Sequence, residues 1–107
     1  MSKKNKSSAA IESMLTDAIA LHQADNVRAA IKLYKKILHA FSEDYRALHL
    51  LGAATGQAGD WKQGIALIEK SLQLKPDNPE AHYNLGIALK TLERFDEAVL
   101  HYQQATL

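Results

Sequence analysis

The sequence predicts an all-α protein built as a stack of helix–turn–helix repeats. Three features point there. Small and large residues recur in a single 34-residue register. Apolar residues fall at three- and four-residue steps, and no run alternates with period two, so no strands are expected. Residues that stop or start helices stand between the periodic stretches.

The register is read from pairs 34 positions apart. Leu51-Gly52 repeats as Leu85-Gly86, Ala47 as Ala81, Ala54 as Ala88, Trp61 as Phe95, Gly64 as Ala98, Ile65 as Val99 and Ser71 as Ala105. One further step back leads from Gly52 to Ala18, from Trp61 to Val27, from Gly64 to Ala30, from Ile65 to Ile31 and from Ile68 to Tyr34. Three units follow, at 11–44, 45–78 and 79–107, the last one truncated. Residues 1–10 precede them. Lys3, Lys4, Lys6, Ser7 and Ser8 make this stretch a polar tail expected to be disordered.

Each unit divides into two helices, predicted near 9–24, 27–40, 44–58, 61–74, 79–92 and 95–106. The register of Ala18 places the first. Ile31, Tyr34, Ile37 and Leu38 give the second its apolar stripe, as Ile65, Ile68 and Leu72 do for the fourth. Gly59 can adopt the left-handed conformation that closes the third helix, and Asp60 can cap the fourth. In Pro76-Asp77-Asn78-Pro79, Asn78 suits an N-cap and Pro79 the first turn of the fifth helix. Two antiparallel helices approach closely only where one side of the contact is small. Ala18, Gly52 and Gly86 on the first helices and Ala30, Gly64 and Ala98 on the second supply that slot.

Composition bounds the function. The 107 residues are 47% apolar and 23% charged, with a formal net charge of +1 and no cysteine. The charge balance gives no strong pull toward nucleic acid or an anionic membrane. Without cysteine there are no disulfides, thiolate metal sites or thiol catalysis, which fits a reducing, cytoplasmic location. Charge interrupts every apolar stretch, so neither a membrane span nor a signal peptide is predicted. His22, His39, His49, His82 and His101 present no pair three or four apart on one helix, so no metal site is predicted. His82 reads as structural. No glycine-rich phosphate loop or nucleophile triad is visible, and no cofactor or enzymatic activity is expected. The basic patch Arg28, Lys32, Lys35 and Lys36 lacks the aromatics that would stack bases and reads as a solvated outer face.

The segment Asn78-Pro79-Glu80-Ala81-His82-Tyr83-Asn84-Leu85-Gly86-Ile87-Ala88-Leu89, with Phe95-Asp96-Glu97-Ala98 and Tyr102-Gln103-Gln104-Ala105, resembles a tetratricopeptide repeat nearly slot for slot. The resemblance covers residues 11–107. It departs at Gly64, where alanine is usual, at Thr55, where a large residue is usual, at Asp17 for leucine and at Ser42 for proline. Leu21-His22-Gln23-Ala24 and His49-Leu50-Leu51-Gly52 further resemble the N-terminal repeats of larger bacterial proteins. Those proteins carry a glycosyltransferase domain of the O-linked N-acetylglucosamine type, or a sulfotransferase domain.

The resemblance implies a right-handed superhelix whose concave face, lined by the first helices, binds a protein or peptide. Helical spacing then nominates Glu12, Leu15, Thr16, Ile19 and His22, with Arg46, His49, Leu50 and Ala53, and with Glu80, Tyr83, Asn84, Ile87 and Lys90. The slots that hold a carboxylate clamp for chaperone tails in some family members carry Leu15, Ile19, Leu50, Glu80 and Asn84, so no such clamp is expected. Asn84 alone matches the asparagine that bonds a bound backbone in transferase-type repeats. The chain ends inside a helix without a polar cap, which suggests a piece of a longer protein. It also suggests self-association through Phe95, Ala98, Tyr102 and Ala105, as a homodimer. Three readings stand: an interaction scaffold, the substrate-recruiting arm of an enzyme, or a spacer.

Overall fold

A computed structural model describes residues 3–107, with side chains from residue 9 onward. Six helices follow one another: α1 (Lys3–Gln23), α2 (Val27–Ala40), α3 (Tyr45–Gln57), α4 (Trp61–Leu74), α5 (Pro79–Thr91) and α6 (Phe95–Ala105). Among the described residues there is no strand. Five of the six helices lie within one residue of the predicted bounds. The exception is the start of α1, which reaches back to Lys3 through the stretch expected as a disordered tail. No proline or glycine stands there to stop it, and alanine and lysine are good helix formers. Met1 and Ser2 lie outside the described residues.

One turn recurs between the helices of each pair. Asp25, Gly59 and Glu93, spaced 34 apart, all have positive φ, at 66°, 114° and 60°. Each is followed by a residue whose amide reaches back five positions: Asn26 to the carbonyl of Leu21, Asp60 to Thr55 and Arg94 to Leu89. This is the Schellman closure, in which a left-handed residue lets the freed carbonyls of the last turn find donors. Between pairs the chain is started by side-chain caps. Asp44 accepts from the amides of Arg46 and Ala47, and Asn78 from that of Ala81.

The pairs stack into an elongated body of 46 × 28 × 19 Å. Two apolar cores fill the spaces between successive layers. Leu15, Ala18, Ala30, Tyr34, Ile37, Ala47, Leu51 and Ala54 form the first; Ile65, Ile68, Ala81, Leu85, Ala88, Leu89 and Ala98 form the second. The closest pair is α3 with α4, for a reason visible in the small slots. Gly52 meets Gly64, and a Cβ placed on Gly64 would lie 2.6 Å from the Gly52 carbonyl oxygen. Here backbone rests on backbone. At the matching slot of the next pair Gly86 lies under the Tyr102 ring, with 2.6 Å to a Cβ. Ser71, fully buried on α4, donates its hydroxyl to the Tyr45 carbonyl at 2.7 Å and ties α4 to α3.

Candidate functional site

The first helices α1, α3 and α5 lie side by side, joined by polar contacts at the repeat spacing. Glu12 on α1 pairs with Arg46 on α3, which Asp44 also holds. His22 on α1 donates from Nε2 to Oε1 of Gln57 on α3 at 2.8 Å, and its Nδ1 accepts from the Tyr34 hydroxyl at 3.2 Å. His49 on α3 accepts at Nδ1 from the Asn84 amide of α5 at 3.1 Å. Its Nε2–H then points toward Glu80, 3.6 Å away. Burial pushes His49 down to about 4, against the pull of nearby Asp44, so the ring is neutral at physiological pH. Burial likewise raises the Tyr34 hydroxyl to about 12, with the Glu80 charge adding to the effect.

A groove runs along α1 and α3 and reaches α5 at Glu80. Its main cavity, about 580 Å³, is lined by Ile19, His22, Gln23, Asp25, Val27, Tyr34, Leu50, Gln57 and Glu80. A smaller one of about 140 Å³ shares Ile19, Leu50 and Glu80 with it and adds Glu12, Leu15, Thr16, Arg46 and His49. Ile19, Val27 and Leu50 are half-buried, so each offers apolar surface to an occupant.

The structure thus gathers Leu15, Ile19, His22, Arg46, His49 and Leu50 around one groove. Their parts differ. Leu15 and His49 are 4% and 1% exposed, so they form the floor and the wall between layers rather than a contact surface. Ala53 is buried too. Tyr83, Asn84, Ile87 and Lys90 line neither cavity. Asn84 spends its amide on His49, and exposed Tyr83 leans toward Tyr102 of α6, ring centroids 5.8 Å apart. Gln23, Asp25, Val27, Tyr34 and Gln57 belong to the groove and were not expected there. The spacing held a signal for Gln57, which follows His22 by 35 positions as Asn84 follows His49.

The apolar patch on α6 also differs from expectation. Ala98 is 2% exposed and Tyr102 is half-buried, because both face α5, where Tyr102 covers Gly86. Ala105 is half-buried. Phe95 alone of the expected four is exposed, and its exposed neighbours are Val99 and Leu100. On the other side of α6, His101 stacks on His82 at 5.2 Å between centroids, while His82 donates to the Pro76 carbonyl at 2.8 Å. Burial and the neighbouring His82 hold His101 below its ordinary value. Among the described residues no helix is long and apolar enough to cross a membrane.

Six helices in antiparallel pairs, a 34-residue register and a groove along the first helices define a helical-repeat protein of the interaction-module class. The family model described as anaphase-promoting complex, cyclosome, subunit 3 matches residues 23–105, and the chain belongs to this tetratricopeptide-type family. Solved structures share the fold. A mutant of the Thermobaculum terrenum O-GlcNAc transferase matches 98% of this chain at 26% identity and a TM-score of 0.85. MamA from Desulfovibrio magneticus matches 90% at 21% identity and 0.79. The second TPR of Spaghetti, bound to the HSP90 peptide SRMEEVD, matches 90% at 14% identity and 0.81. The chain spans 89% of the Spaghetti repeat but 54% of MamA and 20% of the transferase. No curated protein sequence matches it.

Proposed function

We propose that the chain holds a peptide segment of a partner protein in the groove over α1, α3 and α5. The observation that carries this reading is the groove itself: open, running along α1 and α3 to Glu80 at the start of α5, and offering half-buried Ile19, Val27 and Leu50 beside polar groups already fixed by the fold. Such a surface takes apolar side chains from an extended or helical segment and orients them by a few hydrogen bonds. The Spaghetti repeat, bound to a peptide, supports the mode of use. The test compares partners retained from an extract of the source cells by the immobilised chain. Leu50→Ser removes groove contacts and should lose the partner. Lys35→Glu with Lys36→Glu alters the exposed face of α2 and should keep it. Retention by Leu50→Ser would show that the groove is not the docking face.

A second reading rests on the transferase match, which covers nearly all of this stack and a fifth of that chain. In it the repeats recruit substrates for a glycosyltransferase domain of the same polypeptide. The mass of the native protein, detected with an antibody to this stack, separates the two. A species near 11.8 kDa removes the second reading.

A further inference from the structure

The groove has a charge of its own, opposite to that of the chain. The whole sequence carries +1, and its basic residues Arg28, Lys32, Lys35 and Lys36 lie exposed on α2 outside both cavities. The two cavities together are lined by three carboxylates, Glu12, Asp25 and Glu80, and one basic side chain, Arg46. Arg46 is already engaged by Glu12 and by Asp44. Asp25 and Glu80 pair with no lysine or arginine among the described residues. The Glu80 side chain is 70% exposed, and the ring it meets within 4 Å, that of His49, is neutral. These two carboxylates reach the groove from different elements, Asp25 from the α1–α2 turn and Glu80 from the first turn of α5. The apolar surface of Ile19, Val27 and Leu50 lines the same cavity.

We propose that the groove selects a peptide segment in which an apolar side chain is flanked by lysine or arginine, and that it disfavours acidic segments. The proposal rests on the reading of the groove as a docking face and adds the chemistry of its occupant. An ammonium or guanidinium entering beside Asp25 or Glu80 meets a carboxylate with no competing cation. An acidic segment meets two uncompensated like charges and finds no free cation, because Arg46 is occupied. Selectivity then comes as much from repulsion of the wrong partner as from attraction of the right one.

The test selects binders to the intact chain from a random peptide library, then measures synthetic copies by fluorescence polarisation. Enrichment of Lys or Arg around Leu, Ile, Val or Met is expected. Asp25→Asn and Glu80→Gln should each weaken such a peptide by about threefold and together by about tenfold, and added salt should do the same. Leu50→Ser, with an unchanged helical spectrum, should abolish binding. Peptides without basic enrichment, or indifferent to both carboxylate changes but lost in Leu50→Ser, overturn the charge selection and leave the groove as docking face. Peptides indifferent to all three substitutions, or no enrichment at all, overturn both.

Discussion

Adding one methyl group at Gly64 tests how α3 and α4 are held. The new Cβ would sit 2.6 Å from the Gly52 carbonyl oxygen, 3.3 Å from the Gly56 nitrogen and 3.4 Å from its Cα. All three obstacles are backbone, so no side-chain rotation relieves them and the helices must move apart. Overpacking of this kind costs about 1–3 kcal/mol, and a rigid obstacle places Gly64→Ala at about 3. The better helix propensity of alanine returns about 1 kcal/mol. The net loss is about 2 kcal/mol, which for a chain of this size lowers Tm by roughly 10 °C. Gly86→Ala is the comparison. Its Cβ meets the Tyr102 ring at 2.6 Å, but that ring is half-exposed and can swing, so the net change stays within about 0.5 kcal/mol. Urea and thermal unfolding followed by helical circular dichroism measure both. A Gly64→Ala protein as stable as the parent would refute the backbone-on-backbone contact, all the more because alanine is the residue the repeat resemblance leads one to expect there.

Three further outcomes follow from the same structure. His49 is neutral when folded and takes a proton only near pH 4, whereas the unfolded chain takes it near its ordinary value of 6.5. Stability therefore falls as pH drops below about 6.5 and levels off below about 4, by about 3 kcal/mol in total. His49→Gln should remove that part of the pH dependence in urea midpoints, and an unchanged profile would contradict it. Glu93→Gly relieves a left-handed turn held by a residue with a Cβ and should add about 1 kcal/mol, while Gly59→Ala at φ 114° should lose about as much. Ser71→Ala removes the buried hydroxyl bond to Tyr45 and should cost about 1 kcal/mol in the same unfolding assay; no loss would mean the bond contributes nothing net.

Much of the fold was legible because a repeat writes the same physics several times. Gly52 and Gly64 occupy the same slots as Gly86 and Ala98, where the two helices of a pair approach closely, so local chemistry and the 34-residue register agree on each element. Helix ends were marked where a special residue stands, as at Asn78-Pro79 and Gly59. They were silent where Asp25 and Glu93 adopt the turn without glycine, since an ordinary acidic residue gives no sign of a positive φ. Of the candidate groove, helical spacing picks out residues on α1 and α3 that line the cavities, but neither their depth nor the turn and α2 residues beside them. Helical spacing puts Leu15, Ile19, His49 and Leu50 on one side of their helices, yet it cannot say that Leu15 and His49 are covered and Ile19 and Leu50 are not.

By itself, then, the sequence determined the period, the six helices and the small slots through which they pack, because these depend on residues near one another in the chain. Only the tertiary structure decided that Asn84 is consumed by His49, that Arg46 is neutralised between Glu12 and Asp44, and that Asp25 and Glu80 share a cavity without a cation. Those outcomes depend on how far one layer is shifted and rotated against the next. Shift and rotation are set by the packing of whole faces, to which no single segment of the chain commits.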